Sequence, residues 1–403
     1  MPGPAIRAWN IAAVLGQHLD VVLASTVAAE GAHPSAELRL AYGPALGEMI
    51  SWAEVVFAPS ALVFMAEELR APGKVVAVDI YDPYHLENLE MGGMGGPGGT
   101  GGQSQAEHDR AVSRQAGVLN AALRRGDYFT CASERQRDFW LGSLTALGRV
   151  NSYTYENDPL LERLIGTVPY GLPSSPPTRQ GPGLRGSVPG IGPQDKVVLW
   201  GGGVYNWLDP SSVVRAVDRL RKRVPEVRLV FLGMQHPNPS VPPMRAATEV
   251  RALSDRLGLT RRHVFFNAGW VPYERRADFL LDADIAVSAH LDHLETRYSF
   301  RSRVLDYIWA GLPMVLTGGD VLADEVVSAG AGIAVEPGDD AAMEEAIARL
   351  LHHPPSRERF AALAEGHTWE RSVAPLLQFC LEPRSAPDLL VERLSPEEAV
   401  AGG

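Results

Sequence analysis

The chain has 403 residues, more than a single hydrophobic core usually serves, so two domains are expected. Apolar residues make up 45% and charged residues 21%, ordinary values for a soluble globular protein, and the net charge of −11 argues against broad electrostatic binding to nucleic acid or anionic lipid. The two cysteines, Cys131 and Cys380, fit a reducing cytoplasm better than a disulfide scaffold.

No window approaches the roughly 20 apolar residues that span a bilayer, and the start lacks the basic and apolar regions of a signal peptide. A cytoplasmic protein is expected. Weak peripheral membrane contact through a small surface patch stays open.

Met1-Pro-Gly-Pro-Ala-Ile-Arg7 leads directly into a helical pattern over 8–19. A doubly wound domain normally opens on a central strand, so the first strand is missing from this one, and a misplaced start is the favoured explanation. Short apolar runs follow at 20–24, 37–41, 55–58, 74–78 and 128–131, with helical segments at 60–70 and 104–125. The run Tyr128-Phe-Thr-Cys131 reads as a buried strand with a structural thiol. Residues 91–102 are glycine-rich and read as a mobile loop, with a phosphate cradle as the sharper alternative.

Prolines and glycines from 173 to 193 mark a domain boundary. Beyond it the alternation resumes, with apolar runs at 196–200, 227–232, 263–266, 283–287 and 313–316 and helices at 211–223, 244–257, 273–281 and 341–352. The pattern therefore predicts two doubly wound α/β domains in tandem, with ligands beyond the carboxyl ends of the strands.

Polar groups gather in three places. In the second half, Leu199-Trp-Gly-Gly-Gly-Val-Tyr205 puts Gly201, Gly202 and Gly203 at a strand end, where the lack of Cβ atoms admits a phosphate or sugar; a tight turn is the plainer reading. A helix over 299–310, capped by Ser299, would carry Ser299, Ser302, Arg303 and Asp306 on one face. Asp306 would then lie about 10 Å along the axis from Ser299. Positive charge from Arg301, Arg303 and the helix start suits a diphosphate, and a carboxylate two turns on suits ribose hydroxyls. The competing reading is an Arg303–Asp306 ion pair on a solvated face. In the first half, Asp79, Asp82, His85 and Glu87 lie just beyond a strand, as a ligand-facing cluster or a solvated turn, and their mixed donors match no defined metal site.

Asp306-Tyr-Ile-Trp-Ala-Gly-Leu-Pro313 and the strand after it resemble the nucleotide-sugar signature of retaining family 4 glycosyltransferases (glycosyl transferases group 1). The resemblance implies the GT-B fold, two Rossmann-like domains facing across a cleft, with the donor bound mainly by the second. It is strong in the second domain and weaker in the first, over most of residues 1–382. The family has a Glu, seven residues and a second Glu before its Gly-x-Pro. Aligned on Gly311 and Pro313, the second acid falls on Asp306, which would bind ribose, and the first on Tyr298, which is not acidic. Glu295 is the nearest candidate for the sugar contact. The Arg and Lys that often follow the glycine turn are absent from Tyr205-Asn-Trp-Leu-Asp-Pro210, so Arg301 and Arg303 would neutralise the diphosphate. His85 or Asp82 would contact the transferred sugar, and Arg7 a phosphate or the acceptor.

By the same resemblance, Val168-Pro-Tyr-Gly171 is the interdomain strand and turn, and the segment around Thr368-Trp-Glu-Arg371 crosses back onto the first domain. The expected organisation is an acceptor-side domain at 1–172, a linker at 173–194, a donor domain at 195–368, the returning helix at 369–383 and a flexible tail at 384–403. The expected activity is transfer of a hexose from a nucleotide diphosphate sugar, with retention, to a glycan, lipid-linked or small-molecule acceptor, without cofactor or metal. A nucleotide-sugar epimerase on the same fold and a non-catalytic nucleotide-sugar-binding protein are the alternatives.

Overall fold

The apolar runs become strands and the amphipathic segments become the helices between them in the computed structural model, which describes residues 3–27, 31–90, 104–235, 244–267 and 269–391. The glycine-rich run at 91–102 lies outside these residues. The chain packs as two units, one of Gly3–His85, Asp109–Gly171 and the residues from Trp369 on, the other built mainly on Leu172–Thr368.

In the first unit the helix Gly3–Leu15 precedes β1 (Val22–Ser25), which pairs in parallel with β2 (Glu37–Leu40) as a separate two-stranded sheet. A four-stranded parallel sheet follows in the order β3 (Val55–Pro59), β4 (Val75–Asp79), β5 (Tyr128–Cys131) and β6 (Ile165–Thr167). Val76, Val78, Phe129, Cys131 and Ile165 pack with Leu69, Leu123, Trp140 and Leu144 from the flanking helices. Burial pushes the Cys131 thiol up to about 12, which makes it an inert packing group. Residues 60–70 do not form one helix: the chain turns extended at Ala66 (φ −85°, ψ 117°), between Ser60–Met65 and Glu67–Arg70.

The helix Trp369–Leu381 completes this unit. It packs on the helix Gly3–Leu15 and stacks Phe379 on Tyr128 with ring centroids 4.5 Å apart. Asp388, in the segment read as a flexible tail, is buried instead. Its carboxylate takes Nε and Nη2 of Arg149 at 2.8 and 3.3 Å and Nδ2 of Asn151 at 3.2 Å.

The second unit holds a six-stranded parallel sheet in the order β12–β11–β10–β7–β8–β9. Its strands are β7 (Lys196–Gly203), β8 (Val227–Gly233), β9 (Val264–Phe266), β10 (Ile285–Ser288), β11 (Met314–Thr317) and β12 (Gly332–Val335). Both faces of a parallel sheet are covered by crossover helices, so its strands are apolar throughout. Val198, Trp200, Leu229, Phe231, Ile285, Val287 and Val315 alternate along one face and pack against Val213, Val217 and Ile347. The helix Pro210–Leu220 starts where it does because Asp209 caps it, accepting from Ser212 N at 3.0 Å, with proline in its first turn.

The proline- and glycine-rich stretch before β7 is anchored rather than slack. Leu184 and Ile191 are buried, and the carboxylates of Asp278 and Asp282 accept the backbone N–H groups of Gln180, Gly181, Leu184 and Arg185. Among the described residues no helix is long and apolar enough to cross a membrane.

Candidate functional site

The strand order of the second unit reverses between β7 and β10, and an open α/β sheet binds its ligands outside the carboxyl ends of the strands at such a point. The expected strand at 196–200 extends through the glycines to Gly203, so the glycines form the carboxyl end of β7 itself. Gly202 has φ +77° and open space where a Cβ would stand. A Cβ on Gly201 would come within 2.9 Å of the Tyr307 ring, and one on Gly203 within 2.8 Å of the Tyr205 ring. The Tyr307 hydroxyl accepts from Gly201 N at 2.8 Å and donates to Val287 O at 3.1 Å, tying β7 to β10 across the reversal. Burial pushes that hydroxyl up to about 12, so it stays protonated and able to donate. Replacing Tyr307 by Phe should therefore destabilise this unit by about 1–2 kcal/mol, read as a lower thermal midpoint. An unchanged midpoint would show that water replaces the hydroxyl at no cost.

The helix expected from Ser299 is two helices. Leu294–Tyr298 ends, Ser299 (φ −75°, ψ 154°) is extended, and Ser302–Trp309 begins after Arg301 (φ −74°, ψ 74°). Ser299 therefore does not cap the second helix. Its hydroxyl donates to Thr296 O at 3.1 Å and closes the first. Ser302, Arg303 and Asp306 keep the shared face that the spacing predicts.

Arg303 turns its guanidinium toward the glycine end of β7. Nη2 donates to Gly203 O at 2.9 Å, and the group lies 5.1 Å from the centroid of the Trp200 ring. Nη1 is covered and has no partner. Among the described residues no carboxylate pairs with it, and burial holds its pKa below the usual arginine value. The site thus keeps a cation without a carboxylate partner beside Gly202, which is exposed, while the Tyr307 and Tyr205 rings cover Gly201 and Gly203.

Arg301 differs. It is 6% exposed, and its Nη1 and Nη2 meet the two oxygens of Glu295 at 2.8 and 2.6 Å. Glu295 is 1% exposed, with His293 Nδ1 3.7 Å away. The carboxylate expected at the sugar and the guanidinium expected at the diphosphate neutralise each other, while Arg301 Nε is covered and has no partner. Their pairing also pulls the chain out of helical geometry at Ser299–Arg301.

Asp306 pairs with Arg276, not with Arg303. Its Oδ1 accepts from Arg276 Nε at 2.9 Å, and 35% of its side chain is exposed. The Arg276 guanidinium lies 3.6 Å from the ring centroid of Tyr273 and 4.5 Å from that of Trp309. Burial raises the Asp306 pKa and the Arg276 charge opposes it. Arg276, Tyr273 and Trp309 escape the sequence reading. The signal they carry is an aromatic near the end of a polar helix face, and it has meaning only once its partner 30 residues earlier is known.

In the first unit, Arg7 is 2% exposed and fully engaged. Nε and Nη2 meet Asp79 at 2.8 and 3.0 Å, Nη1 donates to Pro169 O at 3.2 Å, and the group lies 4.4 Å from the Tyr81 ring centroid. It is a buried clamp within the unit, bonded through all three of its nitrogens. His85 sits 5.9 Å from the Phe139 ring and 5.7 Å from that of Trp140, and its burial lowers its pKa, so it is a neutral imidazole. Its Nδ1 is covered and unbonded. Asp82, three residues before it, is half-buried.

Two α/β units, the second doubly wound with a glycine-edged strand at its reversal point, make up the GT-B fold. Solved structures share it over nearly the full chain. WaaG, a glycosyltransferase involved in lipopolysaccharide biosynthesis, aligns with a TM-score of 0.64 at 16% identity, covering 94% of this chain and 97% of its own. HepE from Anabaena, in complex with UDP-glucose, aligns with a TM-score of 0.64 at 14% identity, covering 94% and 96%. Sucrose-phosphate synthase from Thermosynechococcus elongatus gives a TM-score of 0.61 at 15% identity, covering 94% and 93%. No curated protein matches the sequence. Residues 195–353, in the second unit, match the family model described as Glycosyl transferases group 1.

Proposed function

We propose that this protein transfers a hexose from a nucleotide diphosphate sugar to an acceptor hydroxyl, with retention at the anomeric carbon. The observation that carries the reading is Arg303, a cation without a carboxylate partner, beside Gly201–Gly203 at the reversal of the sheet. The diphosphate lies against the glycine backbone and takes the unpaired Arg303 donor. The ribose hydroxyls meet Asp306 at the oxygen that Arg276 leaves open. The neighbours named with UDP and UDP-glucose support a nucleotide-sugar donor.

Chemically the anomeric C–O bond to the β-phosphate breaks while the acceptor oxygen bonds to the same face of the sugar. The acceptor proton passes to the departing phosphate oxygen, so no side-chain base is needed. The protein's part is to position the donor and to stabilise the charge that grows on the leaving diphosphate, through Arg303 and the backbone amides near it. The acceptor is a glycan, lipid-linked or small-molecule hydroxyl, and the reaction is cytoplasmic.

A thermal-shift panel of UDP, GDP, ADP and dTDP tests donor binding, because a specific ligand raises the midpoint by mass action. Asp306→Ala should then weaken the selected diphosphate by about tenfold or more while leaving the fold intact. Unchanged affinity sinks the ribose assignment, and no shift with any diphosphate sinks the whole reading. One observation favours a second reading, a nucleotide-sugar-binding protein without turnover: Glu295, the acid expected at the sugar, is locked to Arg301. Slow release of free hexose from the matching nucleotide sugar would exclude it.

A further inference from the structure

We propose that Arg276 is the positioning residue for the nucleotide: it grips one oxygen of Asp306 and turns the other toward the ribose hydroxyls. The inference rests on the nucleotide reading above and names the residue that makes it work.

Arg276 is held through two of its three nitrogens and against two rings, while Nη2 is covered and has no partner. Nε donates to Asp306 Oδ1 at 2.9 Å, Nη1 donates to Tyr273 O at 2.9 Å, and the planar group lies between the rings of Tyr273 and Trp309. Its side chain is 13% exposed, against 35% for Asp306. An exposed Arg–Asp pair usually adds little, because two long side chains lose freedom to form it. Here the stacking has already fixed the guanidinium, so orienting the carboxylate costs little more. Among the described residues Oδ1 is the only Asp306 oxygen that takes a hydrogen bond.

The charge matters as much as the direction. A carboxylate that accepts ribose hydroxyls does so best when ionised. Burial pushes Asp306 toward its neutral form, and Arg276 is the cation that opposes this. The other polar groups close by do not substitute for it. Arg303, one turn earlier, is directed at Gly203 O, and the Tyr307 hydroxyl stays neutral. Tyr273 meets Arg276 through its ring and carbonyl.

The test is the affinity for the diphosphate chosen by the thermal-shift panel, measured by calorimetry from about pH 4.5 to 8.5 in wild type, Arg276→Gln and Asp306→Asn. On acidification Arg276→Gln should lose affinity at a higher pH than wild type, because the cation that opposes the effect of burial on Asp306 is gone. Asp306→Asn should bind weakly at every pH. A profile for Arg276→Gln parallel to wild type would overturn the proposal, since a purely structural residue would weaken binding equally at all pH values. If wild type binds no diphosphate, the functional reading fails instead. Should Arg276→Gln not fold, Arg276→Lys carries the test. It keeps the charge without the planar stack, and several-fold weaker binding with a wild-type pH profile is expected; wild-type affinity would overturn the proposal.

Discussion

Glu295→Ala should destabilise the second unit by about 3–5 kcal/mol, the cost of removing one partner from a buried ion pair. The pair is closed on both sides, with Glu295 1% and Arg301 6% exposed and contacts of 2.8 and 2.6 Å. Without the carboxylate, the Arg301 charge stays buried and unpaired, and the chain loses the tie that sets the break between the two helices. The unit would melt roughly 6–20 °C lower by calorimetry. Replacing both residues with methionine should recover most of the loss, because the desolvation penalty of the pair disappears with its attraction. A single variant as stable as wild type would mean that water reaches Arg301.

Arg303→Met should produce the opposite pair of effects. Affinity for a nucleoside diphosphate should fall by about 10- to 100-fold, equivalent to about 1.5–3 kcal/mol for a lost charge-assisted hydrogen bond. Stability should hold or rise, because Arg303 bears a desolvation cost that no carboxylate offsets, while its stem packs as methionine would. Gly203 O keeps a donor in Trp200 Nε1 at 3.2 Å, so no acceptor is stranded. Weaker binding in a protein of equal or greater stability is the mark of a residue kept for a ligand. Reduced stability with unchanged affinity would make Arg303 a framework residue and remove the main support for the proposed function.

Local periodicity made much of the architecture legible. Tyr128–Cys131 is a strand with the bounds its apolar run suggests, and the glycines of β7 stand at the sheet reversal. The strands that escaped notice, Ile165–Thr167 and Gly332–Val335, are short and contain glycine, and both lie at sheet edges where half the pairing is absent. The site was harder to read because its meaning lies in pairings. Charge and spacing made Arg301 and Arg303 look equivalent, yet one meets Glu295 six residues earlier and the other meets only a carbonyl and a ring. Arg7 looked free for a phosphate because its partner, Asp79, is 72 residues away. The Ser299 cap failed for a related reason: the Glu295–Arg301 contact sets the backbone there, and helix propensity does not register it.

The clamp between Arg149 and Asp388 bears on how the protein is made. Its two halves are 239 positions apart, and the helix Trp369–Leu381 that leads to it rests on the first helix of the chain. On a translating ribosome the first unit has all its sheet strands once residue 167 has emerged, but it still lacks its closing helix and the counter-ion of Arg149. At about 5–20 residues per second, the wait lasts roughly 10–40 s. In that interval the second unit can close, since Leu172–Thr368 is contiguous. The part made first is therefore the part finished last, and nascent chains stalled before Asp388 should be the ones that depend most on chaperones.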